Sequence, residues 1–304
     1  MSGHLPVLLN EVVTLLAPKD GEHYVDGTFG GGGYARAILE AADCRVLGID
    51  RDPDAIARGQ KLVAQFGGRL TLVRGEFSQL DALLAGARTN GVVLDLGVSS
   101  FQFDEPERGF SFRAAGPLDM RMSRQGKSAA DFANAASEKE LVEVIARVGE
   151  ERNARRIARA IIAARPLTTT LELAEVVAAA QGPKAARLAI HPATRTFQAL
   201  RIHVNDELGE LSRGLDVAEK VLAPGGRLIV VAFHSLEDRI VKRFLTERSA
   251  QAPRTSRHAP DARQAPAARF RLLTHRPLTP DKRELQSNPR ARSARLRAAV
   301  RLAA

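Results

Sequence analysis

The residues best equipped for chemistry stand at four places where an apolar run gives way to glycine or polar side chains. The first is Tyr24-Val25-Asp26-Gly27-Thr28-Phe29-Gly30-Gly31-Gly32-Gly33-Tyr34-Ala35. An apolar run ends in Asp26, four consecutive glycines follow, and a helical pattern begins. Glycine adopts backbone angles closed to other residues and lets a ligand approach the main chain. The helix start beside them offers amides that have no intrahelical partner. The second place is Gly48-Ile49-Asp50-Arg51-Asp52, where an acid can accept hydrogen bonds from ribose hydroxyls. The third is Val92-Val93-Leu94-Asp95-Leu96-Gly97-Val98-Ser99-Ser100. A carboxylate at the end of a buried strand is costly unless paired or used; a helix cap or loop bond is its plainer role. The fourth is Phe233-His234-Ser235, which closes an apolar run behind a Pro224-Gly225-Gly226 turn. His234 and Ser235 fall where that strand opens, although a lone histidine is more often structural.

The type of ligand follows by comparison. A Walker loop needs Gly-Lys-Ser/Thr, and here Tyr34-Ala35 follows the glycines. The dinucleotide pattern G-x-G-x-x-G/A can be placed only as Gly30-x-Gly32-x-x-Ala35, a match that any glycine run yields. An acid after the second strand suits the adenosine of NAD or of S-adenosylmethionine. Asp26 tips the balance, because a carboxylate attracts a sulfonium and an α-amino group and repels a pyrophosphate. The expectation is an S-adenosylmethionine site, with an NAD-dependent oxidoreductase as the disfavoured alternative.

These residues need a frame. His23–Asp26, Arg45–Asp50, Leu70–Gly75, Val92–Gly97 and Leu228–Phe233 read as buried strands, rich in Val, Leu and Ile without strict alternation. Helical stretches at Leu8–Leu16, Tyr34–Ala42, Pro53–Gln65 and Gln79–Leu84 precede or separate the first four. The alternation predicts a doubly wound α/β sheet with ligands at the carboxyl ends of its strands. From about Ser128 to Val221 the pattern is helical throughout, clearest at Ser137–Val148, Arg152–Ala164 and Leu171–Ala180, with Thr170 as an N-cap. A long helix is expected over Arg201–Leu222. Residues 1–108 and 197–304 are thus expected to form one discontinuous α/β domain, and residues 109–196 an inserted all-α domain. Residues 250–268 read as a flexible Pro/Ala/Arg loop, and Arg269–Thr274 and Ala294–Leu302 as two further strands.

Composition agrees. The chain has 304 residues, of which 44% are hydrophobic, which excludes global disorder. The single cysteine, Cys44, excludes an internal disulfide and a cysteine-based zinc site, and no metal is expected. The start lacks a basic signal region, and no apolar run reaches the roughly 18–20 residues of a membrane span. A cytoplasmic protein, monomeric or homodimeric, is expected. Residues 1–250 hold 32 basic and 32 acidic side chains, while residues 251–304 hold 13 against 3. The whole net charge of +10 therefore lies in the last 54 residues, where it would attract a phosphate backbone.

Several phrases carry a family resemblance: GPLDMRM over Gly116–Met122, HPATRTFQA from His191, and FHSLEDRIVK from Phe233. With His4–Glu11, Val25–Gly33, Leu94–Ser100 and Asn288–Arg292, they span nearly the whole chain. The sequence resembles the bacterial ribosomal RNA small subunit methyltransferase H family, RsmH or MraW. The resemblance implies methyl transfer from S-adenosylmethionine to the N4 amino group of a cytidine in the decoding region of 16S rRNA. It also implies a Rossmann-like methyltransferase domain interrupted by a helical domain that recognises RNA. By motif match, cofactor contacts fall on Gly32, Gly33, Tyr34, Asp50, Phe77, Asp95 and Gln102, and Phe77 would pack on adenine. Tyr34-Ala35 departs from the family's usual His-Ser, which leaves the backbone contact but not a histidine contact. Asp95 is the first candidate for catalysis, with His234 or Ser235 second. Arg121, Arg195, Arg201 and the basic C-terminal segment are expected to hold RNA. Another methyl acceptor, such as DNA or protein, and a non-enzymatic RNA-binding module are the remaining alternatives.

Overall fold

The computed structural model describes residues 6–182, 190–249 and 267–303. Most of the expected flexible loop, three of the tail arginines and the first five residues lie outside the described residues.

Helix α1 (Leu9–Leu16) leads into β1 (His23–Asp26), α2 (Gly33–Ala41), β2 (Arg45–Asp50), α3 (Pro53–Phe66), β3 (Leu70–Arg74), a single turn at Phe77–Gln79, α4 (Leu80–Leu83) and β4 (Thr89–Asp95). Six helices follow: α5 (Ser100–Asp104), α6 (Ala129–Ala135), α7 (Glu138–Arg147), α8 (Ala154–Ala163), α9 (Thr170–Gln181) and α10 (Thr194–Val204). The chain then runs through α11 (Glu207–Val221), β5 (Leu222–Ala232), α12 (Ser235–Arg248), β6 (Phe270–Leu272), α13 (Lys282–Ser287) and β7 (Arg295–Arg301).

The chain divides into two compact units, residues 1–97 with 208–304, and residues 98–207. The divisions expected from the sequence are 108/109 and 196/197, whereas the units meet at 97/98 and 207/208. The wider helical unit arises because α5 and α10 contribute Phe103, Phe197 and Leu200 to the same apolar cluster as Leu141, Ile157 and Leu173.

The first unit is one seven-stranded sheet in the order β3-β2-β1-β4-β5-β7-β6. All neighbours are parallel except β7, which runs antiparallel to both β5 and β6. Alternate residues serve opposite faces, as the two-residue period of a strand demands. Tyr24, Val93, Ile229 and Val231 pack with α1 and α2, whereas Val25, Val92, Leu94, Leu228 and Val230 pack with α11 and α12. Strand order reverses between β1 and β4, the position at which open α/β sheets leave a crevice at their carboxyl ends. In β1 beside β4, Asp26 is level with Val93, so Asp95 lies two residues further along the neighbouring strand.

Three local expectations are corrected. The N-cap of α9 is Thr169, not Thr170: the Thr169 side chain accepts from the Glu172 amide, and Glu172 bonds back to the Thr169 amide. The helix expected over Arg201–Leu222 is two helices. Asp206 takes a left-handed φ of 46°, and the Asn205 side chain binds the Met120 carbonyl and the Met122 amide, which fixes the break. Pro224-Gly225-Gly226 does not precede β5 but lies within it, as a register shift opposite Thr89 and Gly91 with Gly225 at φ 81°. Such a bulge bends a strand without ending it.

Candidate active site

Three acids close three adjacent strands. Asp50 ends β2, Asp26 ends β1 and Asp95 ends β4. The sequence expected all three at strand ends; the strand order makes them neighbours around the reversal point.

Asp26 is fully buried and braces the glycine loop from beneath. Its Oδ1 accepts from the Thr28 amide at 3.3 Å and its Oδ2 from the Ala35 amide at 3.1 Å. Burial pushes its pKa up to about 7 against the pull of those two amides, and the Asp50 charge raises it further. The loop turns at Gly30 (φ 52°) and Gly32 (φ 74°), the latter being the N-cap of α2. The space over Gly32 is filled: a Cβ there would come within 2.6 Å of the Phe29 ring and 2.8 Å of Leu62. The Ala35 amide is given to Asp26 and that of Arg36 to the Gly32 carbonyl. The amides of Gly33 and Tyr34 open the helix and have no intrahelical carbonyl to meet. The Tyr34 side chain itself is buried and donates its hydroxyl to the Val7 carbonyl. Tyr34 therefore secures the N-terminal segment with its ring and leaves only its amide to a ligand.

Asp50 Oδ2 accepts from the Gly30 amide at 2.7 Å, and Oδ1 from the Asp52 amide at 2.8 Å. The acid of β2 and the loop after β1 are thus one hydrogen-bonded piece. Burial raises the Asp50 pKa, and these two amides oppose the rise. Beside it, Phe77 lies over α11. A Cβ on Gly214 would come 2.2 Å from its ring, and one on Gly27 would come 3.2 Å from its Cβ. Phe77 is only partly buried, so an edge of its side chain remains accessible.

Asp95 is the outstanding group. Its backbone amide donates to Thr28 Oγ1 at 2.6 Å, but its Oδ1 is buried without a hydrogen-bond partner. Burial raises its pKa well above the carboxylate range, and the charges of Asp26 and Glu237 raise it further. An unpartnered buried carboxylate oxygen is costly in the empty protein and well suited to a donor or cation brought in by a ligand. Thr28 was not singled out by sequence reasoning. Only the register of β1 against β4 places its hydroxyl under Asp95.

His234 serves the backbone. It is the N-cap of α12: its Nδ1 accepts from the Glu237 amide at 3.4 Å, and Glu237 Oε2 accepts from the amides of Phe233 and His234. With Nδ1 an acceptor, the neutral ring carries its proton on Nε2. Ser235 opens α12 and is exposed. In the helical unit, Gln102 closes a capping box with Ser99, accepting from the Ser99 amide at 3.0 Å. Arg121 is clamped by both oxygens of Asp119 and by the Gly126 carbonyl. Arg201 holds Glu207 with two bonds of 2.8 Å. Arg195 is more than half exposed and reaches the Glu150 carbonyl. In the tail, Arg295 and Arg297 both pair with Asp238, and Arg269 pairs with Glu219.

The family model described as the MraW methylase family matches residues 1–302. The chain is 58% identical over 305 residues to the ribosomal RNA small subunit methyltransferase H of Hyphomonas neptunium, covering 98% of this chain and 89% of that one. It is 57% identical over 309 residues to the protein of the same name from Parvibaculum lavamentivorans, covering 100% and 91%. Among solved structures it is similar to an rRNA methylase from Streptococcus thermophilus, with a TM-score of 0.46 at 10% identity, covering 99% and 100%.

Proposed function

The chain belongs to the MraW methylase family, and from that premise we propose that it methylates the N4 amino group of a cytidine in 16S rRNA of the small ribosomal subunit. Its methyl donor is S-adenosylmethionine. The observation that carries the reading is the set of Asp50, Asp26 and Asp95 at the ends of three adjacent strands around the glycine loop. Among the described residues no helix is long and apolar enough to cross a membrane. A cytoplasmic site of action matches a ribosomal substrate.

The residues present fit the donor. Asp50 would take the ribose hydroxyls, and Phe77 would pack on the adenine. The amides of Gly33 and Tyr34 would face the cofactor, with Gly32 shaping the turn behind them. Asp26 and Asp95 would face its cationic end, where the unpartnered Asp95 Oδ1 has a use for a donor. Bound there, the sulfonium supplies an electrophilic methyl group.

The difficulty lies with the acceptor, since the lone pair of a cytosine amino group is delocalised into its ring. A hydrogen-bond acceptor that holds the amino hydrogens favours a pyramidal nitrogen and stabilises the positive charge developing on it. Asp95 would do that work, a reading supported by its buried Oδ1 having no hydrogen-bond partner. His234 and Glu237 fix the turn from β5 into α12, and Ser235 opens that helix. The base must leave its stack to reach the site, so the protein must also hold the flanking RNA. Gln102 supports the segment after β4, while Arg195, the most open of the three expected arginines, contacts the backbone; Arg121 and Arg201 hold its surroundings in shape.

The direct test incubates the protein with labelled S-adenosylmethionine and small ribosomal subunits from a strain lacking the enzyme, then maps the modified nucleoside by mass. Label on a 16S cytidine N4 is the expected result. Label on DNA, protein or another RNA position would refute the assignment.

A further inference from the structure

We propose that Arg152, in the turn before α8, and Arg155, Arg156 and Arg159, on the outer face of α8, form a docking strip for the phosphodiester backbone of the substrate RNA. The proposal rests on the rRNA reading above and names a surface for it.

The segment 152–165 contains five arginines and no acidic residue. Its inner face, Ala154, Ile157, Ala158 and Ile161, is buried in the apolar core of the helical unit. Arg152, Arg155, Arg156 and Arg159 are all exposed. Arg159 pairs with Glu138 at 3.0 Å. For the other three no carboxylate partner exists among the described residues. Arg165, the fifth, is turned inward to the carbonyls of Ala133 and Ala136.

This arrangement works against the helix that carries it. Within α8, Arg155 and Arg159 are four apart and Arg156 and Arg159 three apart, so each pair is a repelling neighbour on one surface, and Arg152 adds a further cation just ahead of the helix. Arg155 and Arg156 also occupy the first turn, which holds no acid, beside the positive end of the helix dipole. The neighbouring helices follow the opposite rule: α7 begins with Glu138 and Glu140, and α9 with Glu172. A helix that accumulates uncompensated cations at its positive end gains nothing from them within the fold. The gain comes when an external polyanion neutralises them.

The geometry suits an RNA strand. Side chains four apart in a helix, such as Arg155 and Arg159, are spaced by about 6 Å along the axis, a step suited to successive phosphates, and Arg152 stands ahead of them in the preceding turn. Arginine also offers a planar fork for two phosphate oxygens. Arg195 extends the row at the link before α8, through its bond to the Glu150 carbonyl.

The test is a triple variant, R152Q/R155Q/R156Q, with Arg159 left in its ion pair. Binding to a 16S rRNA transcript and to undermethylated small subunits is measured over a range of salt concentrations, with S-adenosylmethionine affinity and melting temperature alongside. The expected result is affinity for both RNA forms lowered about tenfold or more near 0.1 M salt. The slope of log affinity against log salt should become shallower by about 2, at roughly 0.7 per lost phosphate contact. Cofactor affinity should be unchanged and the melting temperature unchanged or raised. An unaltered RNA affinity and slope, in this variant and in R155E/R156E, would overturn the proposal. So would a lowered melting temperature, which would make the arginines structural. A loss confined to assembled subunits would also overturn it, by pointing to a ribosomal protein. If the unaltered protein methylates no rRNA, the functional reading fails instead.

Discussion

The amide of Ala35, in the first turn of α2, donates to Oδ2 of Asp26, the last residue of β1, across a loop of eight residues. Asp26 is therefore the keystone of the glycine turn as well as a charge beside it. Replacing it with alanine leaves the amides of Thr28 and Ala35 without acceptors in a buried place, at about 1–3 kcal/mol each. Relief of a buried carboxyl offsets part of that. Asp26→Ala is expected to weaken S-adenosylmethionine binding by more than tenfold while shifting the melting temperature by only a few degrees. Calorimetry with a parallel melt measures both.

The raised pKa of Asp26 sets a pH dependence. Its native value is about 7 against an ordinary value of 3.8, so the folded chain keeps a proton that the unfolded chain has lost between those limits. Stability of the free protein is expected to fall as pH rises through that window. A bound cation favours the ionised carboxyl, so S-adenosylmethionine should bind more tightly at pH 8 than at pH 6, with protons released on binding. Proton release appears as a dependence of the calorimetric enthalpy on buffer ionisation. Equal affinities at both pH values would remove Asp26 from the cationic end of the site.

Asp95→Asn keeps the shape of the side chain and replaces one acceptor oxygen with an amide donor. Loss of a preorganised stabilising group of this kind slows turnover by about 10²–10³. The variant is expected to show that loss in single-turnover methylation at saturating cofactor. Full turnover with normal cofactor binding would take the catalytic role away from Asp95.

Gly214 is in α11, remote in sequence from the glycine loop, yet its Cα faces the Phe77 ring. An alanine in a helix is ordinarily worth about 0.5–1 kcal/mol over glycine. Here its Cβ would stand 2.2 Å from the ring and must displace Phe77. Gly214→Ala should therefore weaken binding of S-adenosylmethionine and of adenosine alike. An unchanged affinity for both would show that Phe77 does not support the adenine.

Asp238 on α12 holds Arg297 at 2.6 Å and Arg295 at 3.0 Å, joining the helix to β7. Arg297 is buried, and Asp238 carries a lowered pKa: burial opposes the shift, but the hydrogen bonds of Arg297 and Arg295 prevail. Asp238→Ala strands a buried guanidinium and should destabilise the protein by about 3–5 kcal/mol. Chemical denaturation measures this. The result also bears on the basic tail, because two of its arginines serve the sheet rather than a nucleic acid.

The strands, the acids at their ends and the glycine turn were legible in the residues alone. Strand β2 at Arg45–Asp50 and β1 at His23–Asp26 fall where the apolar runs place them, because a doubly covered parallel strand is written as a short continuous apolar segment. Asp26, Asp50, Asp95 and the glycine run were visible because each interrupts such a segment at its end. Which partner each polar group would take was settled in the folded chain. Tyr34 turned inward to Val7, His234 became a cap, Arg121 closed on Asp119, and Thr28 came to lie beneath Asp95. The break at Asn205 was equally hidden, since it depends on the carbonyl of Met120 far back in the chain. Local sequence fixes the period and polarity of an element through near-neighbour sterics and burial. Hydrogen bonds across distant segments depend on strand order and register, and these are settled by the fold as a whole.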